Sequence, residues 1–220
     1  DYMSATLEKY GFGKKTSIDL PNEFIGTVPN KAWKQEKYGQ PWYIGETIIT
    51  SIGQGSLLVT PIQMAKHIAE LASGKGITPH FLKSIEGIDV EFENYELFSP
   101  FEKDQLPYIR KAMYEVANHP KGTAYNHLKD SQVKLAAKTG TAQVVSIPQN
   151  EKVRMKEADM EYYERSHAWI VAFGPYENPQ YAVTVLVEHG GGGSSTGGPM
   201  IKSIFDKLLE MGYIDNNVTK

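Results

Sequence analysis

Two apolar runs separated by one short turn constrain this chain more than any other feature. Ala168–Phe173 and Tyr181–Glu188 flank the segment Glu177-Asn178-Pro179-Gln180. Apolar runs of this length bounded by turn residues read as strands, and so short a connection makes them an antiparallel hairpin. In the second run Val183, Val185 and Val187 alternate with Ala182, Thr184 and Leu186, so both faces are apolar. That pattern predicts a strand buried on both sides. A third strand-like stretch, Val133–Val145, is rich in Val, Ala and Thr. Ser146–Ser166 is polar and mixed in charge, and is expected to be a long loop or an exposed helical excursion between two strands.

Helical signals surround these strands. Thr60 precedes Pro61, and Gln63 completes a T-x-x-Q capping box. Ile62, Ala65, Ile68, Ala69 and Ala72 then recur at helical spacing, with Gly74 as the C′ residue. This is expected to be the first helix of the chain. The preceding 60 residues are punctuated by Gly and Pro and read as connecting loops over a core. A second helix is expected over Pro107–Asn118, with Ile109, Ala112, Met113, Val116 and Ala117 on one side. A closing helix is expected over Pro199–Met211, with Ile201, Ile204, Phe205 and Leu208 inward and a frayed tail after Ile214. Helices followed by an antiparallel sheet and a closing helix make an α/β fold of the α+β type, with helices packed on the sheet.

Composition removes several functions. The 220 residues carry 23 Lys and Arg against 26 Asp and Glu, a net charge of −3. With a pI near 6.1 and no basic run, no nucleic-acid partner is expected. No apolar stretch reaches the roughly 18–20 residues of a membrane span, and no signal peptide is evident. An N-terminal anchor outside this chain is compatible with both observations. Cysteine is absent, which removes disulfides, thiol catalysis and Cys-ligated zinc but does not fix the compartment. None of the six histidines forms H-x-H or H-E-x-x-H, so neither a metal nor a cofactor is expected. The glycines of Gly190–Gly193 lack a G-K-[ST] ending, and Gly74-Lys75-Gly76 fails the same test. The glycine run is therefore expected to be a flexible loop leaving a strand.

One constellation does carry chemistry. Lys138-Thr139-Gly140-Thr141 lies inside the third strand-like stretch. A strand lining a groove presents an ammonium to an anion, and threonine hydroxyls hydrogen-bond a carboxylate. Glycine within a strand admits close approach of another backbone, and an edge strand accepts an extended peptide. On these four residues alone, an exposed Lys beside a bulge glycine is an equally simple reading.

The surroundings point further. Lys-Thr-Gly is one of three motifs of penicillin-handling serine enzymes, with S-x-x-K and S-x-N or S-D-N. Gly11-Phe12-Gly13, Ile18-Asp19-Leu20-Pro21, Thr50-Ser51-Ile52-Gly53-Gln54-Gly55 and Thr60-Pro61-Ile62-Gln63-Met64-Ala65 resemble segments of class B penicillin-binding proteins. So do Gly122-Thr123-Ala124, Ala137–Gln143 and His167-Ala168-Trp169, in the same order. The pattern is most similar to the elongation-type, penicillin-binding protein 2-like branch, and spans about Tyr10 to Met211. Ser131-Gln132-Val133-Lys134 is the only S-x-x-K match, but it stands seven residues before Lys138 and leads into a strand rather than a helix. No S-x-N occurs. The resemblance therefore implies the C-terminal part of a transpeptidase domain, over residues 1–214, with 146–166 a polar insertion and 215–220 a tail. The fold implied is the penicillin-binding, serine β-lactamase-like transpeptidase fold, incomplete in this chain.

The resemblance also implies roles. The complete enzyme would cross-link peptidoglycan stem peptides through a serine acyl-enzyme and bind β-lactams, and its nucleophile lies upstream. Lys138 would set a positive field near the substrate carboxylate, and Thr139 and Thr141 would bind that carboxylate. Gly140 would leave room for the substrate chain. The Thr141 backbone N–H would supply half of an oxyanion hole, and Gly190–Ser195 a mobile rim. A membrane glycosyltransferase and elongation scaffold proteins are the implied partners, on the periplasmic side of the bacterial inner membrane. A serine β-lactamase or penicillin-sensing receptor domain shares the fold and the K-T-G element. The T-P-I-Q-M-A segment and the polar insertion favour the transpeptidase. Without its nucleophile the isolated chain is expected to be inactive and to expose apolar surface.

Overall fold

The computed structural model describes residues 2–145 and 156–215. They form two compact units, Asp1–Glu70 with Lys75–Leu97, and Leu71–Gly74 with Phe98–Lys220. No described helix is long and apolar enough to cross a membrane.

The first unit contains α1 (Tyr2–Lys9), α2 (Lys31–Tyr38), α3 (Ile44–Ser51), α4 (Pro61–Ser73, shared with the second unit), and the hairpin β1 (Ser84–Ile85) and β2 (Ile88–Asp89). The expectation of loops before Thr60 is thus corrected, because three helices lie there. Each has eight residues between Gly and Pro breaks, too short to build a visible apolar period. The α4 start follows the sequence. Thr60 Oγ1 accepts from Gln63 N at 3.3 Å, and Gln63 Oε1 accepts from Thr60 N at 3.0 Å. The Gln63 amide also donates to Lys14 O and Ile25 O at 2.8 and 2.9 Å. One capping glutamine therefore pins the Gly-rich loops to α4. Asp19 ties another segment down, accepting from Phe81 N and Leu82 N at 2.8 Å each. On α4 itself the buried Glu70 pairs with Lys66 at 2.5 Å and accepts from Ile77 N at 3.2 Å.

The second unit contains α5 (Pro100–Asn118), α6 (Tyr125–Leu128), β3 (Ala136–Ala142), β4 (His167–Gly174), β5 (Tyr181–Val187) and α7 (Gly198–Glu210). Its antiparallel sheet has the order β3-β4-β5. Leu135, Ala137, Ile170 and Ala172 on one face pack with Ala117 of α5, Leu128 of α6, and Ile201, Phe205 and Leu209 of α7. The strands, the hairpin and the helix-on-sheet architecture follow the sequence.

Three details do not. The helix expected from Pro107 starts at Pro100, because Ser99 and Glu102 form a capping box and Pro107 sits inside the helix. Leu106, Met113 and Ala117 are its buried residues, whereas Ile109 and Ala112 are exposed. On α7, Ile204 is exposed and Leu209 is buried instead. β5 is half-buried along its whole length rather than buried on both sides. Among the described residues it has a strand neighbour on one side only. Residues 156–165 of the polar segment form two short 3-10 turns, Glu157–Asp159 and Tyr162–Glu164. The rest of that segment's polar run, 146–155, and tail residues 216–220 lie outside the described residues.

Exposed apolar surface is present as expected. Ile44 and Ile48 on α3 and Ile52, the residue that caps its C-terminus, recur every fourth residue and are 82%, 61% and 70% exposed. Phe24 and Phe81 of the first unit are also exposed.

Candidate active site

β3 carries Lys138, Thr139, Gly140 and Thr141, paired in register with Val171, Ile170, Trp169 and Ala168 of β4. It lies at one end of the sheet. In an antiparallel strand a residue's N–H and C=O face the same neighbour, and this side alternates along the chain. Lys134 O accepts from Tyr176 N, just past β4, at 2.9 Å. Leu135 O instead accepts from Asn118 Nδ2 of α5 at 2.8 Å. Even-numbered residues therefore face β4. The main-chain groups of Ala137, Thr139 and Thr141 face the outer edge.

The side chains reach that edge from both faces. The Lys138 ammonium donates to Thr139 O at 2.6 Å, so the positive charge sits on the outward carbonyl. The Lys138 side chain is exposed, and Thr139 is partly buried. The Thr139 hydroxyl lies 3.0 Å from the hydroxyl of Thr123. One cation, two hydroxyl-bearing threonines and outward main-chain groups thus lie along one edge. Such an edge can hydrogen-bond an extended peptide and hold a carboxylate.

Glycines stand where the strand is crowded. A Cβ on Gly140 would lie 3.2 Å from Trp169 Cβ. A Cβ on Gly193 would lie 2.1 Å from Trp169 O and 2.3 Å from Gly140 O. The glycine-rich segment, expected as a rim near the groove, is therefore seated on the backbone of the K-T-G-T strand. Gly191 N donates to Ser166 O at 2.8 Å, and Thr196 Oγ1 donates to Gly190 O at 2.6 Å. Gly191, Gly193 and Gly197 are buried. Gly193 and Gly197 serve close approach, whereas Gly191 holds a positive φ of 75°.

The structure places Ser131 away from this edge. Its hydroxyl donates to Asp206 Oδ1 of α7 at 3.1 Å, and Asp206 also accepts from Gln132 N at 2.9 Å. Ser131 thus anchors the turn before β3 to α7. Thr123 is the residue at the site to which the sequence assigned no role. Its only signal was membership of the Gly122-Thr123-Ala124 segment. Among the described residues no group of three or more His, Asp or Glu side chains is placed to hold a metal ion.

Comparison with known proteins agrees with this geometry. Residues 1–210, across both units, match the penicillin-binding protein transpeptidase domain. The peptidoglycan D,D-transpeptidase MrdA of Haemophilus influenzae is 37% identical over 95% of this chain and 33% of its own length. Its Escherichia coli K12 counterpart is 36% identical over 95% of this chain and 33% of its length. Among solved structures, penicillin-binding protein 2 of Helicobacter pylori in complex with MreC superposes with a TM-score of 0.84 at 47% identity, covering 96% of this chain and 36% of that one. Pseudomonas aeruginosa PBP2 in complex with WCK 5153 gives 0.79 at 34% identity, covering 94% and 43%. The chain spans about a third of the length of the curated relatives it matches. Its motifs, its sheet and its relatives together make it a member of the penicillin-binding protein transpeptidase domain family, similar to the PBP2-type enzymes.

Proposed function

We propose that this chain is the Lys-Thr-Gly wall of a peptidoglycan D,D-transpeptidase acting in cell-wall elongation. The observation that carries the reading is the outward edge of β3, where Lys138 and Thr139 meet main-chain groups that point away from β4. In the whole protein a serine upstream of residue 1 attacks the carbonyl of the penultimate D-alanine. An acyl-enzyme forms and D-alanine leaves with a proton on its amine. An amine of a neighbouring stem peptide then attacks the ester, forms the cross-linking amide and returns the serine hydroxyl.

Each residue of the edge has a part. Lys138 holds a positive field beside the substrate carboxylate. Thr139 and Thr141 bind that carboxylate through their hydroxyls. The Thr141 N–H stabilises the oxyanion of the tetrahedral intermediate together with the N–H of the nucleophile. Gly140 keeps the strand low under the substrate chain. β-Lactams acylate the same serine and leave it slowly.

The whole protein works on the periplasmic face of the inner membrane, anchored by a segment outside this chain. Residues 1–214 form the C-terminal portion of one transpeptidase domain. A scaffold partner is supported by the Helicobacter pylori relative, which was solved with MreC. A membrane glycosyltransferase is a further partner by resemblance.

The test is acylation of the full-length protein by a fluorescent penicillin. Lys138→Ala is expected to slow acylation about 10- to 100-fold, the size of a lost charge-assisted hydrogen bond. The wild-type adduct is expected to persist. An unchanged rate in Lys138→Ala would remove this strand from the site. Rapid release of the label would make the protein a β-lactamase.

A further inference from the structure

Thr123 occupies an exposed position that its neighbours hold with little freedom. Gly122 N donates to His119 O at 2.7 Å, and Ala124 N donates to Val116 O at 3.1 Å, so the turn folds back on the end of α5. A Cβ on Gly122 would lie 2.4 Å from both Glu115 O and Val116 O, so a larger residue is excluded. Ala124 is fully buried. The two small residues clamp the turn from either side. The residue between them projects a hydroxyl to within 3.0 Å of Thr139 Oγ1.

A hydroxyl has one proton and two lone pairs, whereas a carboxylate only accepts. If Thr139 donated to Thr123, its proton would be used and its lone pairs would face the substrate carboxylate. If Thr123 donates to Thr139, the Thr139 proton is left for the carboxylate. Chained donors also polarise one another. We propose that Thr123 is a positioning residue that donates to Thr139 and thereby aims the Thr139 proton at the ligand's carboxylate. The inference rests on the reading of β3 as the carboxylate-binding edge and adds the residue that fixes its hydroxyl.

The test uses the full-length protein with benzylpenicillin and with benzylpenicillin methyl ester, in which the carboxylate is masked. The second-order acylation constant is measured for wild type, Thr123→Val, Thr123→Ser and Thr139→Val. Thr123→Val keeps the shape and removes the hydroxyl. It is expected to slow benzylpenicillin about fivefold, the effect of one neutral hydrogen bond, and to leave the ester unchanged. Thr123→Ser is expected to stay within about twofold of wild type, since it keeps the donor. The ratio of the two ligands on one preparation does not depend on how much of it is folded. Equal slowing of both ligands would make Thr123 a packing residue and overturn the proposal. So would an unchanged benzylpenicillin rate in Thr123→Val while Thr139→Val still loses discrimination. If Thr139→Val keeps the wild-type ratio of acid to ester, the carboxylate-binding reading of the strand falls, and this inference falls with it.

Discussion

At the scale of single residues, short side chains and missing side chains decide the site. Gly193 touches the backbone of Gly140 and Trp169 where any Cβ would collide with two carbonyl oxygens. Gly193→Ala is expected to displace the glycine-rich segment from β3, lower the stability by about 1–3 kcal/mol and slow acylation of the whole protein. Thermal melting and penicillin labelling of the same variant check both effects. His67 makes a pH prediction in the first unit. Burial, reinforced by the Lys66 charge, pushes its imidazole down to about 4. The rings of Tyr10 and Phe12 lie 5.4 and 5.2 Å from it. Its unfolded value is near 6.5, so the unfolded state takes up the proton first as the pH falls. The neutral His67 therefore contributes fully above pH 6.5, and stability is lost as the pH falls from about 6.5 to 4, by up to about 3 kcal/mol. Denaturant midpoints across this range are expected to fall in wild type more steeply than in His67→Leu. Equal slopes would contradict the buried, neutral histidine.

At the scale of elements, caps and registers carry the argument. The Ser99 hydroxyl accepts from Glu102 N at 3.3 Å, and the Glu102 carboxylate accepts from Ser99 N at 2.7 Å. Ser99→Ala is expected to cost about 1 kcal/mol, read as a lower melting temperature, because it strips the start of the helix that holds Asn118 and the Gly122–Ala124 turn. The same motif shows where the sequence was legible. T-P-x-Q at Thr60 announces α4, and S-P-x-E at Ser99 is the same signal for α5, whereas Pro107 lies inside the helix rather than at its start. The three strands and the hairpin between the last two were legible because apolar or Val- and Thr-rich runs are bounded by turn residues. The inward residues of α5 and α7 were only partly legible. Ile109 and Ile204 fit the apolar period, yet tertiary packing turns them outward. The three helices before Thr60 were hidden by their length. Replacing Ile44 and Ile48 of α3 and the capping Ile52 by Gln is expected to raise the solubility of this chain without lowering its melting temperature. A lower melting temperature would mean that the stripe packs within the chain.

At the scale of the whole molecule, the chain holds the Lys-Thr-Gly edge while covering about a third of its relatives. The candidate site was legible as four consecutive residues, since K-T-G-T needs only a strand to line up. The clamp around Thr123 and the seat of Gly193 were not, because contacts between segments distant in sequence leave no local period. The central claim is that this chain shapes the site of a serine acyltransferase whose nucleophile lies outside it. Intact mass after incubation with benzylpenicillin tests it most directly, on this chain alone and on the folded full-length protein. The account predicts one drug mass on the full-length protein, mapped by peptide digestion to a serine upstream of residue 1, and none on the chain alone. An adduct on Ser131 or any other residue of this chain, or no adduct on the folded full-length protein, would contradict it.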